Sequence, residues 1–350
     1  MAKNDALLEE WRKLHEAALH VKKRTPWEWM EEVDVFGVEN PEDGTIGFVS
    51  IMGALGEFEG ISVYLGVEAL DGFWEMQNTG PDVSPEMVLE LPQLQISFTN
   101  RKAMEKEDLA LIKKLGLKPR GKNAWPQFRS IIPAHLPWFL EDAEVRFLRL
   151  VMEQILDVLE RCDEEPEILE PPEDDSYLIR VPRKDDGGNL VWEDEMRQLP
   201  PPEDFDVDVR LDAELMKTFK ALPQNHSGIE CALFMVPAPV MEKDRPFFPY
   251  ILLMVDPMST MILGIETLQP TPSLSAMRAT VPNLFMEQCI KAKIRPKEIA
   301  VDSDVMYDLL EDLTDEAGVE LIDDFELEGI EEVKASMFEQ MANMSPDDLL

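Results

Sequence analysis

The order of elements expected between residues 249 and 323 constrains this chain more than any other feature. Apolar runs at 250–255 and 260–265 flank the turn-forming residues 256–259, which predicts two strands joined by a tight turn. A helix is expected over 273–293, then a strand at 298–301 closed by Asp302, another helix, and a strand at 319–322. With the apolar strand 229–236 before it, this order predicts a mixed sheet covered by helices.

The first part of the chain predicts a different architecture. A helix is expected over 5–23, where apolar residues recur at three- and four-residue intervals. The remaining elements are strands at 33–39, 45–52, 61–65, 94–98 and 125–133, and helices at 67–77, 106–115 and 141–161. Because the first three strands follow one another as a meander, we expect an α+β domain with a mainly antiparallel sheet over residues 1–162.

A change in composition marks the boundary between these two regions. Residues 163–175 contain eight acids and three prolines, so they offer little apolar surface to bury. We expect an exposed, proline-rich linker over 163–205. Within it, strands at 177–181 and 190–192 are expected to form a hairpin across the turn 185–188. The second domain is expected over 206–344.

The charge of the chain bounds its partners. The formal net charge is −38 and the isoelectric point about 4.3. Such a surface repels phosphate backbones and anionic lipids, so neither nucleic acid nor a membrane is an expected partner. High solubility is one reading of this charge, and a mimic of nucleic acid that binds a basic protein is another.

Cysteine and histidine usage argues against a zinc site. The three cysteines are far apart, no CxxC pair occurs, and the chain has only four histidines. The sparse cysteines favour a reducing compartment, and the charged helix expected at the start is not typical of a signal peptide. We therefore expect a cytoplasmic protein without a cofactor. His15 lies on the apolar stripe of the first helix, where a packed or surface histidine is expected rather than a ligand.

Two segments of the second domain, residues 251–264 (ILLMVDPMSTMILG) and 295–302 (RPKEIAVD), carry a resemblance to a known family. On these residues the domain resembles the RNase H-like superfamily, in particular its integrase and transposase branch, over about residues 229–341. The resemblance implies a three-layer domain with three antiparallel strands followed by helix, strand, helix, strand and helix. Active members place acids on the first strand, at the end of the fourth and on the last helix, where they hold two divalent metals.

This chain departs from that pattern on its first strand. Asp302 matches the acid of the fourth strand, and Glu331 or Glu332 matches that of the last helix. Glu230, however, lies one to two residues too early, and the strand interior has no carboxylate. The leading hypothesis is therefore a non-enzymatic protein-interaction or regulatory module with a degenerate nuclease-like domain. The alternative is a nuclease or phosphotransfer enzyme that uses Mg²⁺ or Mn²⁺ held by Asp302, Glu230 and Glu331. If the site is degenerate, Asp302 is expected to cap the following helix.

The whole chain also resembles an uncharacterised bacterial two-domain family. This resemblance rests on 26–29 (PWEW), 53–56 (GALG), 64–66 (YLG), 126–129 (PQFR) and 137–139 (PWF). It implies no activity and supports only the division into two domains.

Overall fold

A computed structural model of the protein contains two β-sheets, each packed against its own helices. The structure describes residues 2–54, 56, 58–80, 83–162, 164–170, 176–200, 207–224, 228–241, 245–324 and 326–343. The chain divides into two compact units. The first comprises Met1–Ile132 and Pro137–Pro202, and the second comprises Pro133–Leu136 and Glu203–Leu350.

The first unit contains a seven-stranded sheet in the order β5-β4-β3-β2-β1-β6-β7. All neighbouring strands are antiparallel except β1 and β6, which are parallel. This confirms the expected α+β character and the mainly antiparallel sheet. The strands are β1 Phe36–Glu39, β2 Ile46–Met52, β3 Gly60–Leu65, β4 Gln93–Thr99, β5 Trp125–Ile131, β6 Ser176–Lys184 and β7 Leu190–Gln198. The helices are α1 Ala2–Arg24, α2 Val67–Thr79, α3 Pro85–Glu90, α4 Lys106–Lys114 and α5 Asp142–Cys162.

Two apolar clusters hold this unit together. The larger one combines the stripe of α5 with α1 and strands β1 to β5, and Leu14, Leu148 and Ile155 are completely buried in it. The smaller one packs α2 against the sheet through Phe48, Tyr64 and Phe73 among others. Successive side chains of a strand point to opposite faces of the sheet. The apolar side chains on one face therefore belong to the larger cluster, and those on the other face belong to the smaller one.

The predicted hairpin is present, but it does not belong to a linker. Its strands β6 and β7 lie in the first sheet, where Gly37 of β1 pairs with Ile179 of β6. Leu178, Ile179 and Val181 are buried there and supply the apolar surface that anchors the hairpin. We expected a linker over 163–205 because residues 163–175 are rich in acids. Residues 163 and 171–175 of that stretch lie outside the described residues.

The second unit contains a five-stranded mixed sheet in the order β10-β9-β8-β11-β12. Strands β8, β9 and β10 are antiparallel, and β11 runs parallel to both β8 and β12. The strands are β8 Gly228–Met235, β9 Tyr250–Asp256, β10 Met261–Leu268, β11 Glu298–Val301 and β12 Glu320–Asp323. The helices are α6 Ala213–Lys220, α7 Leu274–Arg278, α8 Val281–Ala292, α9 Asp304–Ala317 and α10 Glu328–Asn343.

Helices cover both faces of this sheet. On one face, α10 lies over β8 and β9, where Phe234, Leu253 and Ile330 form a buried cluster. On the other face, α8 lies against β10 and contacts α6 and α9. Gly264 of β10 allows that close approach, since a Cβ atom there would lie 2.8 Å from Cβ of Gln288.

Two local expectations need correction. The single helix expected over 273–293 is two helices, α7 and α8, because Pro282 lies in the first turn of α8 and lacks the N–H that a continuous helix requires. The short helix α3 was not expected; it begins after Ser84, whose Oγ accepts the N–H of Met87 at 3.2 Å. Among the described residues, no helix is both long and apolar enough to cross a bilayer.

Candidate functional site

The three predicted acids belong to the α10 side of the second sheet. Glu230 on β8 pairs with Val255 of β9 and with Ala300 of β11. Val255 and Ala300 contribute to the apolar cluster beneath α10, so Glu230 faces α10 as well. Asp302 follows directly after β11, and Glu331 lies in the first turn of α10.

Glu230 holds the beginning of α10. Its side chain is only 8% exposed, and its Oε2 accepts the N–H of Ile330 at 2.8 Å. The first N–H groups of a helix have no partner within the helix, and a carboxylate is favoured there by the helix dipole as well. Gly329 makes the contact possible, because a Cβ atom at that position would lie 2.8 Å from Oε2 of Glu230.

Asp302 is half-buried at the end of β11, which has a neighbouring strand on each side. Burial raises the pKa of its carboxyl group above the ordinary value, while the charge of Lys334 acts in the opposite direction. The charge of Glu331 raises the pKa further. The expectation that Asp302 caps the next helix was wrong. Ser303 does so instead, because its Oγ accepts the N–H of Met306.

A cationic side chain accompanies these acids. Lys334, one helical turn after Glu331, places its Nζ 3.5 Å from Oε1 of Glu331 and 5.1 Å from the ring centre of Phe234. Its side chain is partly buried, whereas that of Glu331 is largely exposed. A lysine ammonium group cannot ligate a metal, and the positive charge of Lys334 favours the ionised form of Asp302.

These side chains share one face of the sheet but do not converge on one point. Mg²⁺ and Mn²⁺ prefer several oxygen ligands around the ion. Within the described part of the chain, no group of three or more histidine, cysteine or acidic side chains is arranged to hold a metal. Glu332, the other candidate on α10, is exposed. Lys334 and Gly329 were missed as members of this group, although a glycine in the first turn of a helix is a signal of close approach.

The acid between β9 and β10 has a structural role. Oδ1 of Asp256 accepts the N–H groups of Met258 and Ser259 and the hydroxyl of Ser259. These hydrogen bonds lower the pKa of Asp256, the hydroxyl contributing most. The side chain therefore fixes the tight turn that the sequence predicts.

Two ionisable groups of the first unit are also buried. His15 packs against Trp11 and Phe128, and its Nδ1 lies 2.9 Å from the carbonyl oxygen of Trp11. Burial lowers the pKa of His15 to about 4, so the ring is neutral at pH 7. Arg129 is held by Asp108 and Glu105 at 2.8 and 2.7 Å. Both groups are satisfied locally and serve packing.

Comparisons with known proteins match two separate parts of the chain, one from the first unit and one from the second. Residues 11–180 match a family model described as a domain of unknown function, DUF7309. Residues 215–338 match a second one, described as a domain of unknown function, DUF6930. No curated protein matches the chain. Neither description names an activity, so the chain is similar to two families that carry no functional assignment.

Proposed function

We propose that this chain is a non-enzymatic protein-interaction or regulatory module, and that its second unit is an RNase H-like domain with a degenerate acidic site. The order β10-β9-β8-β11-β12, with three antiparallel strands followed by two parallel ones, agrees with what the sequence resemblance implies. The helices between β10, β11 and β12, and α10 after them, agree with it as well. The topology supports only the proposal of an RNase H-like fold. Whether such a domain could hold a metal depends on its acidic side chains.

The observation that carries the proposal is the hydrogen bond from Ile330 N–H to Glu230 at 2.8 Å. A carboxylate that ligates a metal directs one or both of its oxygens at the ion. Oε2 of Glu230 is directed at a helix N-terminus, in a position from which water is nearly excluded, which leaves at most the other oxygen for a metal. Lys334 adds to this argument because its positive charge lowers the pKa of Asp302 without a metal.

The alternative, a metal-dependent nuclease or phosphotransfer enzyme, requires a rearrangement. Glu230 would have to release Ile330 in order to ligate through both oxygens, and Glu331 would have to turn from its exposed position toward Asp302. A second obstacle is the net charge of −38, which repels a nucleic-acid substrate unless cations screen it. Both obstacles count against the enzyme.

A titration with Mn²⁺ tests the proposal. Isothermal calorimetry would compare the wild-type chain, Asp302→Asn and the control Asp312→Asn, which removes an exposed acid of α9. We expect the same weak, non-saturating heats from all three proteins, because the many surface acids attract cations without forming a site. The same samples should not cleave single-stranded or duplex DNA.

One outcome would overturn this proposal. Saturable Mn²⁺ binding in the micromolar range that disappears in Asp302→Asn but persists in Asp312→Asn would show an intact metal site. Cleavage of DNA with the same dependence on Asp302 would establish the enzyme.

A further inference from the structure

The outer strand of the second sheet exposes apolar side chains. Strand β10 lies at the edge of the sheet, and no other described strand pairs with its outer side. Ile262 and Ile265 are 45% and 44% exposed, Met261 is 58% exposed, and Met258 in the preceding turn is 90% exposed. Unpaired strand edges are normally protected by charges or proline within the strand, and the charge of β10, Glu266, is held by Gln288 and Lys291 of α8.

The register shows which face of the sheet these isoleucines extend. Ile262 pairs with Val255, and Ile265 pairs with Leu253. Val255 and Leu253 are buried in the cluster beneath α10. Paired residues of antiparallel strands point to the same face, so Ile262 and Ile265 continue the apolar surface beyond the helix. We call Ile262, Ile265 and the outer edge of β10 the β10 shelf.

Helix α10 forms the inner side of this shelf. It lies over β8 and β9 rather than over β10. Lys334 lies over the ring of Phe234 on β8, and Val333 and Met337 of the same helix face the sheet. Both are only partly buried and pack against the cluster beneath α10. The shelf is therefore an apolar strip with a helix along one side and an unpaired strand edge along the other.

The turn before β10 holds the shelf in a fixed shape. Asp256 accepts three hydrogen bonds from Met258 and Ser259. Thr260 has a φ of 52°, a left-handed conformation that is uncommon for a β-branched residue. A pre-formed strand edge has less conformational entropy to lose when another chain pairs with it.

The distribution of charge indicates what kind of chain would bind. Residues 257–265 carry no charge, whereas residues 323–332 contain six acids and no lysine or arginine. This acidic segment leads into α10 close to the shelf, since a Cβ atom on Gly329 would lie 3.2 Å from Cγ1 of Val255, the partner of Ile262. The net charge of −38 disfavours a second copy of the chain and favours a basic one.

We propose that the β10 shelf binds an extended, basic segment of a partner protein, which pairs with β10 as an additional strand. Alternate apolar side chains of that segment lie on Ile262 and Ile265, and its lysine or arginine side chains reach the acids at the start of α10. A bulge between Ile262 and Gly264 interrupts the ladder of β10, so regular pairing is confined to Gly264–Leu268. This inference rests on the proposed function and names the surface and the partner class that serve it.

Binding of defined peptides to the full chain tests the inference. The probe is a fluorescein-labelled peptide of alternating lysine and valine, and its control has the same residues in two separate blocks. Fluorescence anisotropy would compare wild type, Ile265→Lys and Met196→Lys. Met196 is the matched control because it is also 44% exposed and lies on β7, the edge strand of the first sheet.

We expect the alternating peptide to bind wild type and Met196→Lys equally. We expect Ile265→Lys to bind it at least about tenfold more weakly, since a lysine both removes apolar contact and repels the peptide. Hydrogen exchange should show that the peptide protects β10 amides in wild type only when its residues alternate. Circular dichroism melting would show that all three proteins are folded.

Three outcomes would overturn the inference. Equal binding of the alternating and block peptides would indicate attraction by charge alone, and wild-type affinity in Ile265→Lys would place the contact elsewhere. Self-association in sedimentation velocity that Ile265→Lys abolishes would show that a second copy occupies the shelf. The Mn²⁺ titration remains a separate readout, so a failure of the shelf and a failure of the proposed non-enzymatic function are distinguishable.

Discussion

The hydrogen bond between Glu230 and α10 gives the sharpest prediction. Glu230→Gln keeps the shape and one acceptor oxygen but removes the charge, and Glu230→Ala removes the acceptor. Because the bond is 2.8 Å long and the side chain only 8% exposed, the charged acceptor should contribute about 1.5–3 kcal/mol. We expect Glu230→Gln to cost about 1–2 kcal/mol. Glu230→Ala should cost about 2–4 kcal/mol, since it also leaves a buried N–H unpaired and a cavity.

The sign of the change in the free energy of unfolding distinguishes a structural role of Glu230 from a catalytic one. In a metal site without its metal, neighbouring carboxylates repel one another, and removing one of them increases stability at the expense of function. A structural cap behaves in the opposite way, because its loss exposes an unsatisfied helix end. Destabilisation by Glu230→Gln therefore supports the cap, whereas stabilisation would support the metal site.

The assay must report on the second unit alone. Tryptophan fluorescence does not, because all seven tryptophans lie in the first unit, at Trp11, Trp27, Trp29, Trp74, Trp125, Trp138 and Trp192. Native-state hydrogen exchange of the α10 amides, including that of Ile330, measures the local free energy directly. Glu339→Gln, an exposed acid of the same helix, is the control and should change stability by less than about 0.5 kcal/mol. Unchanged or slower exchange in Glu230→Gln would refute the cap.

Three further predictions follow from charge and burial. The folded-state pKa of His15 is about 4, below its ordinary value of 6.5, so the stability of the first unit should fall as pH drops from 6.5 toward 4, by at most about 3 kcal/mol. Urea unfolding followed by tryptophan fluorescence checks this, and His15→Leu should remove most of the pH dependence; the same dependence in the mutant would contradict the assignment. The pKa of Asp302 is raised, so its charged form opposes folding and stability is lost as pH rises through that pKa. Asp302→Asn should therefore stabilise the fold at pH 7, which slows hydrogen exchange of the β11 amides, and this stabilisation should disappear in acid. Faster exchange at pH 7 would contradict the reasoning. Finally, a charge of −38 should keep the dissociation constant for duplex DNA above ~10⁻⁴ M at physiological salt, and micromolar binding in an anisotropy titration would count against the interaction-module proposal.

Local patterns in the sequence predict most elements of the second unit. The strand Tyr250–Asp256 is an apolar run that ends at a turn residue, and β11 is the short run before Asp302. Such runs are local, so their positions can be read without knowing the fold. The hairpin β6–β7 shows the limit. Its pairing with β1 joins Gly37 to Ile179, and no local pattern reveals a partner so distant in the chain.

For the candidate site as well, the sequence predicts some features and not others. The resemblance identifies the acids, and the structure brings Glu230, Asp302 and Glu331 to one face of one sheet. The resemblance does not reveal that Glu230 accepts a hydrogen bond from a helix that lies a hundred residues later in the chain. That contact depends on Gly329 and on how closely α10 approaches the sheet, which packing decides.

The cap and the β10 shelf are consequences of one arrangement. Gly329 lets α10 begin directly over Glu230 and Val255, so the helix covers β8 and β9. A helix is about 10 Å wide and adjacent strands are about 4.8 Å apart, so a helix centred over β8 and β9 leaves the edge strand uncovered. The carboxylate that an active site would need thus holds the helix in the position that exposes Ile262 and Ile265. On this reasoning, the acid that holds the start of α10 helps to shape the surface proposed for a protein partner.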